Sequence, residues 1–348
     1  DANGGVVVTG YFRGTVDFGG GPLASPDGYD VFLAKYSATG AHLWSRRFGS
    51  PIIGAIVTES GNGVAVDGAG NIVVTGMFEG TADFGGGPLT SVGQGDIFLA
   101  KYSATGAHLW SRRFGSIFAD TGNAVAVDAG GNIVVTGNFI NPVDFGGGAL
   151  TPASYDVFLA KYSPNGTHVW SQRFGGTLSD EGRGLALDPS GNVFVTGTFQ
   201  NTMDLGSGPL TSAGGNDVFL AKYSAGGAHQ WSKRFGSTTN FDSGNGLAVD
   251  TSGNAVVTGF FAGSVDFGTG ALTSAGSKDV FVARYSPTGA PLWARRYGGT
   301  GIDAGVAVGI DGDGNVITGG SFFGTIDLGA GPFASAGSAD MFLLCLKP

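Results

Sequence analysis

The chain has 348 residues, of which 42% are hydrophobic and 13% are charged, a composition that supports a large buried core and excludes a disordered chain. Its net charge of −9 repels phosphate backbones and anionic lipid, so we expect neither a nucleic-acid partner nor a membrane-surface partner. The sequence has no run of about 18 apolar residues, so we expect no membrane insertion. The 67 glycines fall in short spaced groups without a three-residue period, which excludes collagen and indicates many tight turns.

A repeat of about 60 residues runs through the chain. The segment 30–50 returns at 96–116 with one change, Val31 against Ile97, and looser copies follow. The markers "D-[VIM]-F", "TG" and "D-[FL]-G" share one register along the sequence. The first marker recurs at intervals of 60 to 66 residues, at Asp30, Asp96, Asp156, Asp217, Asp279 and Asp340. Such a period predicts a repeat architecture.

Four strands are predicted in each repeat, and the third repeat shows them in chain order. Strand A is "NAVAVD" (Asn123–Asp128), and an "AGGN" turn leads to strand B, "IVVTGNF" (Ile133–Phe139). After a longer B–C loop comes strand C, "DVFLAKYS" (Asp156–Ser163), and "PNG" turns the chain into strand D, "HVWSQRFG" (His168–Gly175). Small, β-branched and aromatic residues between Asn/Gly-type turns favour strands, and glycine interrupts every candidate helix.

Four strands in about 60 residues are typical of a β-propeller blade. One sheet cannot bury both of its faces, whereas blades around an axis bury each face against a neighbour. We therefore predict an all-β fold, a β-propeller of four-stranded antiparallel blades, as a single domain over residues 1–348 built from about six repeats of 60–66 residues.

The repeats resemble the bacterial SBBP family, named for a seven-bladed β-propeller. The resemblance rests on "GNAVAVDAGGNIVVTGNF", "VDFGGGAL" and "DVFLAKYSPNGTHVWSQRFGG" and covers essentially the whole chain. It implies a secreted or cell-surface bacterial protein, usually without an assigned enzymatic activity. Strands B and C occur six times but A and D five times, so we favour six blades, with seven as the alternative. How a ring would close stays open.

Aspartate opens each A–B turn, and the residues are Asp67, Asp128, Asp188, Asp250 and Asp311. We interpret these as Asx turns, in which the carboxylate accepts a backbone N–H two residues on. Calcium is the alternative at one turn, where Asp311, Asp313 and Asn315 place oxygen ligands at alternate positions, without the downstream Glu of an EF-hand loop. No other cofactor is predicted.

Strand D carries one tryptophan per copy, at Trp44, Trp110, Trp170, Trp231 and Trp293. One interpretation is that these rings pack between blades. The other is that their exposed faces stack on sugar rings, which would make the protein a multivalent lectin. Strand D also carries a repeated arginine, and each B–C loop carries an aspartate, such as Arg173 and Asp144. We expect these charges to form a structural ion pair or a loop-anchoring hydrogen bond.

The function that the sequence favours is a non-enzymatic extracellular or cell-surface scaffold for binding or adhesion. No "G-x-S-x-G", "H-E-x-x-H" or P-loop motif stands out. We expect a protein or glycan ligand on the loops that vary between repeats, namely the B–C loop at Asp83–Asp96 and the D–A connections at Ser50–Asn62 and Ser237–Asn245. Alternatives are a carbohydrate-binding lectin and a structural subunit of a self-assembling extracellular polymer, completed by strand exchange at open blade edges.

Overall fold

Every regular element that the structure describes is a β-strand. The structure is a computed structural model that describes residues 1–49, 57–238, 241–329 and 331–348, with the side chains of all of these except Asp27, Val57 and Thr58. The chain divides into two compact units, Asp1–Arg173 and Phe174–Pro348. The single domain over residues 1–348 therefore stays a prediction.

Blades 1 to 3 belong to the first unit, apart from the final residue of β16. Blade 1 consists of β1 (Val6–Asp17), β2 (Pro22–Tyr36) and β3 (His42–Phe48), with the two-residue β4 (Val57–Thr58) parallel to β2. Blade 2 contains β5 (Ser60–Val66), β6 (Ile72–Phe78), β7 (Thr81–Asp83), β8 (Pro88–Thr90), β9 (Asp96–Tyr102) and β10 (His108–Phe114). Blade 3 contains β11 (Thr121–Val127), β12 (Ile133–Phe139), β13 (Val143–Asp144), β14 (Ala149–Leu150), β15 (Asp156–Tyr162) and β16 (His168–Phe174).

Blades 4 to 6 form the second unit. Blade 4 contains β17 (Glu181–Leu187), β18 (Val193–Asp204), β19 (Pro209–Tyr223) and β20 (His229–Phe235). Blade 5 contains β21 (Ser243–Val249), β22 (Ala255–Phe261), β23 (Ser264–Asp266), β24 (Ala271–Thr273), β25 (Asp279–Tyr285) and β26 (Pro291–Tyr297). Blade 6 contains β27 (Asp303–Ile310), β28 (Val316–Phe322), β29 (Thr325–Asp327), β30 (Pro332–Ala334) and β31 (Asp340–Leu346).

The blades have the predicted topology. In blades 2 to 5 the strands hydrogen-bond in the antiparallel order A, B, C, D, as in β11-β12-β15-β16. The described part of blade 1 supplies B, C and D, and that of blade 6 supplies A, B and C. The predicted all-β fold of antiparallel propeller blades is confirmed. The described residues form six blades, of which blades 2 to 5 contain all four strands.

The B–C loop contains an element that the sequence did not predict. Within it the chain forms a short antiparallel ribbon, β7–β8 in blade 2 and β13–β14 in blade 3. In blades 1 and 4 this ribbon continues from the main strands, across a register shift between Phe12 and Gly14 in blade 1. Each ribbon strand is two or three residues long in blades 2 and 3, which is too short to show a periodic pattern.

The core lies between neighbouring blades of one unit. In the first unit Val73 and Leu99 of blade 2 pack with Val135 and Phe145 of blade 3 in one buried cluster. Phe114, at the end of strand D of blade 2, stacks on Tyr162 of blade 3 with ring centroids 5.4 Å apart. Both faces of a blade are buried in this way, which explains why strand B is apolar almost throughout instead of alternating.

Candidate functional site

The antiparallel strand order gives each unit two distinct ends. B–C loops and D–A connections lie together at one end, called the loop end. A–B and C–D turns lie at the other, called the turn end. At the loop end the backbone N–H of Asp120 donates to Gly95 O at 2.8 Å, and at the turn end Lys101 Nζ lies 3.0 Å from Asp67 Oδ2.

The turn end contains the predicted Asx turns. Asp67 Oδ1 accepts the backbone N–H of Ala69 at 3.0 Å and that of Asn71 at 2.8 Å, and Lys101 Nζ adds an ion pair from strand C. Burial raises the pKa of Asp67, but hydrogen bonds from Asn71 and Lys101 outweigh burial and leave it below its ordinary value. The pKa is lowered in the same way at Asp128, Asp188 and Asp250.

The calcium candidate has the same geometry as these turns. Asp311 Oδ1 accepts N–H bonds from Asp313 at 3.0 Å and Asn315 at 2.8 Å, and Asn315 Nδ2 donates to Asp311 Oδ2 at 2.7 Å. Over the described ranges, no three acidic, histidine or cysteine side chains come together as a metal site. Calcium at Asp311, Asp313 and Asn315 stays a prediction. In this blade the exposed Cys345 occupies the strand-C position that Lys101 has in blade 2.

Three of the tryptophans, Trp44, Trp110 and Trp231, contact the C–D turn of the following blade. Trp44 Nε1 donates to Ala104 O at 3.3 Å, and Lys35 Nζ donates to the same carbonyl at 3.4 Å. A Cβ on Gly106 would come 3.1 Å from Trp44 Cδ2, so glycine lets this turn lie against the ring. Trp110 and Trp231 bond in the same way to Pro164 O and Pro287 O. These contacts agree with packing between blades, and sugar stacking on the rings stays a prediction.

The loop aspartates anchor their own loops instead of pairing with strand D. Asp144 Oδ1 accepts N–H bonds from Gly146 at 2.7 Å and from Gly148 at 3.0 Å. The loop-anchoring alternative is therefore confirmed, and the alternative ion pair with strand D is wrong. Arg173 instead pairs with Asp156, the first residue of strand C. Strands C and D are hydrogen-bonded neighbours, whereas the loop aspartate lies beyond the strand end.

The loop end contains buried carboxylates that were not predicted from the sequence. In the first unit Arg113 pairs with Asp96, which opens β9 and has no exposed surface. Asp120, also fully buried, accepts the N–H of Ser116 at 2.6 Å and that of Ile140 at 2.8 Å. Asp120 therefore fastens the D–A connection to the start of the next B–C loop. The available signal was an acidic residue two positions before the first glycine of each strand A. These residues are Glu59, Asp120, Asp180, Asp242 and Asp303.

Burial changes the ionisation of both Asp96 and Asp120. Burial and, to a smaller extent, the charge of nearby Asp96 raise the pKa of Asp120 to about 6, against the lowering effect of its N–H bonds. Burial also raises the pKa of Asp96, although Arg113 opposes the change. Asp96 Oδ1 is buried and accepts no hydrogen bond in the described structure. The folded chain therefore holds a proton at Asp120 more tightly than the unfolded chain does.

We expect Asp120 to titrate near pH 6 and to make folding stability depend on pH. Its stabilising contribution is complete below 3.8, the ordinary pKa, and is lost as the pH rises through about 6. A ¹³C NMR titration of the side-chain carboxyls, assigned with Asp120→Asn, measures this directly. Exposed Asp144 is the internal control, because N–H bonds from Gly146 and Gly148 lower its pKa. A midpoint for Asp120 near 3.8 would contradict the assignment.

Large apolar side chains are exposed on the D–A connections. In the first unit Ile117 is 61% exposed and Phe118 beside it is also exposed. Their loop packs closely against the B–C loop, because a Cβ on Gly93 would be 2.5 Å from Ile117 Cα. In the second unit the corresponding exposed residues are Leu178, Phe241 and Ile302.

The predicted ligand loops lie at the loop end, and the structure describes them only in part. The B–C loop at Asp83–Asp96 is described in full, and its Val92 is exposed. Of the D–A connections, residues 50–56 of Ser50–Asn62 and residues 239–240 of Ser237–Asn245 lie outside the described residues. Exposed Phe241 belongs to the described part of the second connection.

Comparison with known families agrees with this architecture. The family described as "SBBP: Beta-propeller repeat" matches residues 169–198 and 230–259. These two segments are SBBP β-propeller repeats. Each matched segment runs from strand D of one blade through strands A and B of the next. The SBBP match therefore follows the chain across the boundary between two blades.

Two curated proteins resemble this chain. An uncharacterized WD repeat-containing protein, L264 of Acanthamoeba polyphaga mimivirus, is 26% identical over 377 residues, covering 86% of this chain and 26% of that protein. The regulatory protein FlaEY of Caulobacter vibrioides is 25% identical over 249 residues, covering 66% of this chain and 26% of that protein. The chain spans about a quarter of the length of these relatives.

Solved structures also resemble this chain. The gluconolactonase XC5397 of Xanthomonas campestris has a TM-score of 0.40 and 15% identity, covering 88% of this chain and 82% of that one. YCF48 bound to D1 peptide has a TM-score of 0.40 and 9% identity, covering 94% and 81%. Scores this low are not evidence for what this chain binds. Over its described residues the chain contains no helix with the length and hydropathy needed to cross a membrane.

Proposed function

We propose that this β-propeller is a binding scaffold that holds a protein ligand at its loop end. The observation that carries the proposal is the exposure of large apolar side chains on successive D–A connections, with Ile117 and Phe118 in the first unit. When a partner covers exposed apolar groups, their removal from water lowers the free energy of the complex. Binding residues are also found mostly on loops that a rigid scaffold positions.

The hydrogen bonds that hold these connections in place favour binding. Asp120 joins the two ends of the Ser116–Asp120 connection by accepting the N–H of Ser116, and it ties the connection to the B–C loop by accepting the N–H of Ile140. Asp242 likewise accepts the N–H groups of Ser237 and Ala262. A connection that is already ordered loses little conformational entropy when a ligand binds. Exposed apolar side chains on ordered loops can therefore supply affinity with a small ordering cost.

We also propose that the scaffold is not an enzyme and that it works outside the cell, in adhesion. The resemblance to SBBP repeats supports the location. The sequence supports the absence of catalysis, because its charged residues recur once per blade in equivalent positions. A catalytic site needs one set of unlike residues at one place, and a set that recurs in every blade is typical of architecture.

Selection of a displayed random-peptide library on the purified chain tests the loop-end site. We expect the enriched peptides to be apolar and to lose at least tenfold in affinity for Ile117→Ser/Phe118→Ser. Leu109→Ser is the matched control, because Leu109 is also exposed but begins strand D near the turn end. Its affinity for the same peptides should stay within twofold of that of the unmodified chain.

Two outcomes would contradict the proposal. The selected peptides could bind both variants equally well, which would place the binding surface elsewhere. A glycan array could instead give strong ligands that survive the loop substitutions and are lost in Trp110→Ala, which would favour the lectin alternative. Circular dichroism of each variant confirms that a lost interaction is not lost folding.

A further inference from the structure

A buried oxygen at the start of strand C in blade 2 lacks a hydrogen-bond donor. Asp96 has no exposed surface, and its Oδ2 accepts the N–H of Val92 at 3.1 Å and pairs with Arg113. Its Oδ1 is buried too, and among the described residues no group donates a hydrogen bond to that oxygen. A buried acceptor without a donor costs free energy, so a donor is expected beside Asp96 Oδ1.

The unpaired oxygen recurs in the second unit. Asp217 and Asp279 occupy the position of Asp96 in blades 4 and 5, have no exposed surface and pair with an arginine of strand D. In the described part of the chain the Oδ1 atom of each is buried and accepts no hydrogen bond. Because the oxygen is unpaired at equivalent positions in three blades, its donor belongs to the repeat and not to one loop.

A second carboxylate lies beside the unpaired oxygen and becomes a donor when it is protonated. The backbone N–H of Asp120 donates to Gly95 O at 2.8 Å, which places Asp120 next to Asp96. The corresponding bond in the second unit runs from the N–H of Asp242 to Asn216 O, also at 2.8 Å. An ionised carboxylate has only acceptors, whereas a protonated carboxyl carries one O–H donor.

The charges around Asp120 balance when one proton is bound. Ionised Asp96 and Asp120 carry two negative charges, and Arg113 supplies one positive charge. The segments that surround Asp120, residues 91–95, 114–119 and 140–143, contain no other titratable side chain. One proton therefore makes the three side chains neutral together, and burial favours the neutral state. The raised pKa of Asp120 agrees with this count.

These two carboxylates hold both loops that meet at the loop end of blades 2 and 3. Asp96 accepts the N–H of Val92 in the B–C loop of blade 2. Asp120 accepts the N–H of Ser116 at 2.6 Å in the D–A connection and that of Ile140 at 2.8 Å in the next B–C loop. A change in their ionisation therefore acts on the loops that display the exposed apolar side chains.

We propose that Asp120 holds one proton and donates it to Asp96 Oδ1, and that this shared proton is a pH-sensitive switch for the contact between the D–A connection and the B–C loop. In acid the O–H group of Asp120 bonds the otherwise unpaired oxygen, and the two loops stay together. When the proton is lost, the two buried carboxylates repel each other and the connection opens more often. This inference is independent of the protein ligand proposed for the loop end.

The direction and size of the effect follow from the pKa of Asp120 in the closed and open connection. The pKa is about 6 while the connection is closed, and opening to water returns it toward 3.8. The equilibrium constant for opening should therefore rise by up to about tenfold for each pH unit between those two values. It should be smallest below 3.8 and level off above about 6.

Amide hydrogen exchange of the full chain from about pH 4 to about pH 7, followed by NMR and divided by the intrinsic exchange rate at each pH, tests the switch. We expect the protection of the Ser116 and Ile140 N–H groups to fall by roughly 50-fold, mostly below pH 6. The N–H of Asn71 is the internal control, because its acceptor Asp67 has a lowered pKa and stays ionised over this range. Its protection should stay within about twofold.

Asp120→Asn should abolish the fall, because the amide does not titrate and its Nδ2 can donate to Asp96 Oδ1. Asp96→Asn should reduce the fall to about tenfold or less, because Arg113 then balances ionised Asp120, and it provides the test if Asp120→Asn does not fold. Asp144→Asn, at an exposed carboxylate with a lowered pKa, is the matched control and should keep the full fall. Constant protection of Ser116 and Ile140 in the unmodified chain overturns the inference. So does an undiminished fall in either of the other two variants.

Discussion

Replacing Arg113 by methionine should lower the free energy of unfolding by about 3–5 kcal/mol at neutral pH. Arg113 is the cation that faces the buried carboxylate of Asp96, and methionine keeps the length of the side chain while removing the charge. Because Asp96 has no exposed surface, water cannot replace the lost guanidinium. Urea unfolding measures the difference.

The free energy of unfolding that Arg113→Met removes should depend on pH. Without Arg113 the pKa of Asp96, which burial already raises, rises further. Below its ordinary value of 3.8 the carboxyl is protonated in the folded and unfolded chains, so the variant should differ least from the parent there. The deficit should grow as the pH rises. Arg112→Met, at an exposed neighbour in the same strand, is the control and should cost about 0.5 kcal/mol or less. An equal deficit at pH 3.5 and pH 7 would contradict this account.

Replacing Phe145 by alanine should destabilise the chain by about 3–5 kcal/mol. Phe145 is fully buried in the B–C ribbon of blade 3. Its ring lies 4.5 Å from that of Phe158 in its own blade and 5.6 Å from that of Phe114 in blade 2, measured between centroids. Truncation removes aromatic contacts on both sides of the interface between the blades and leaves a cavity.

Urea unfolding followed by tryptophan fluorescence measures this effect. Phe118→Ala is the matched control, because the same atoms are removed from an exposed side chain, and a loss of about 1 kcal/mol or less is expected. A loss that small for Phe145→Ala would mean that the ribbon does not take part in the packing between blades.

The sequence predicted the main strands well because their patterns are local. Strand B at Ile133–Phe139 has the predicted limits, and strands C and D end one residue before the predicted ends. Strand A begins two residues earlier than predicted, at Thr121, since glycine and asparagine at its start carry little strand preference. The ribbon of the B–C loop was missed because its strands are two or three residues long.

The candidate site was less predictable. The repeat pattern predicted where the B–C loops and the variable D–A connections lie in the sequence. It did not predict which charged side chains form ion pairs. Asp96 and Arg113 are 17 residues apart and come together only because strands C and D pair in one register. Asp120 acts through the N–H of Ile140, 20 residues further on, and this contact requires the B–C loop to fold back toward the D–A connection.

The sequence by itself determined the repeat, the four strands of each blade and the propeller class. The reason is that each blade is a sheet with two apolar faces, and only neighbouring blades of the same shape can bury both. The tertiary structure decided which carboxylates are buried and paired, which carbonyls the tryptophans bond, and which apolar residues stay exposed. Met341 and Val280 occupy the same position in the same pattern, yet one is 89% exposed and the other is fully buried. The burial of a side chain depends on what packs against its face of the strand, and the sequence of the strand itself does not identify that neighbour.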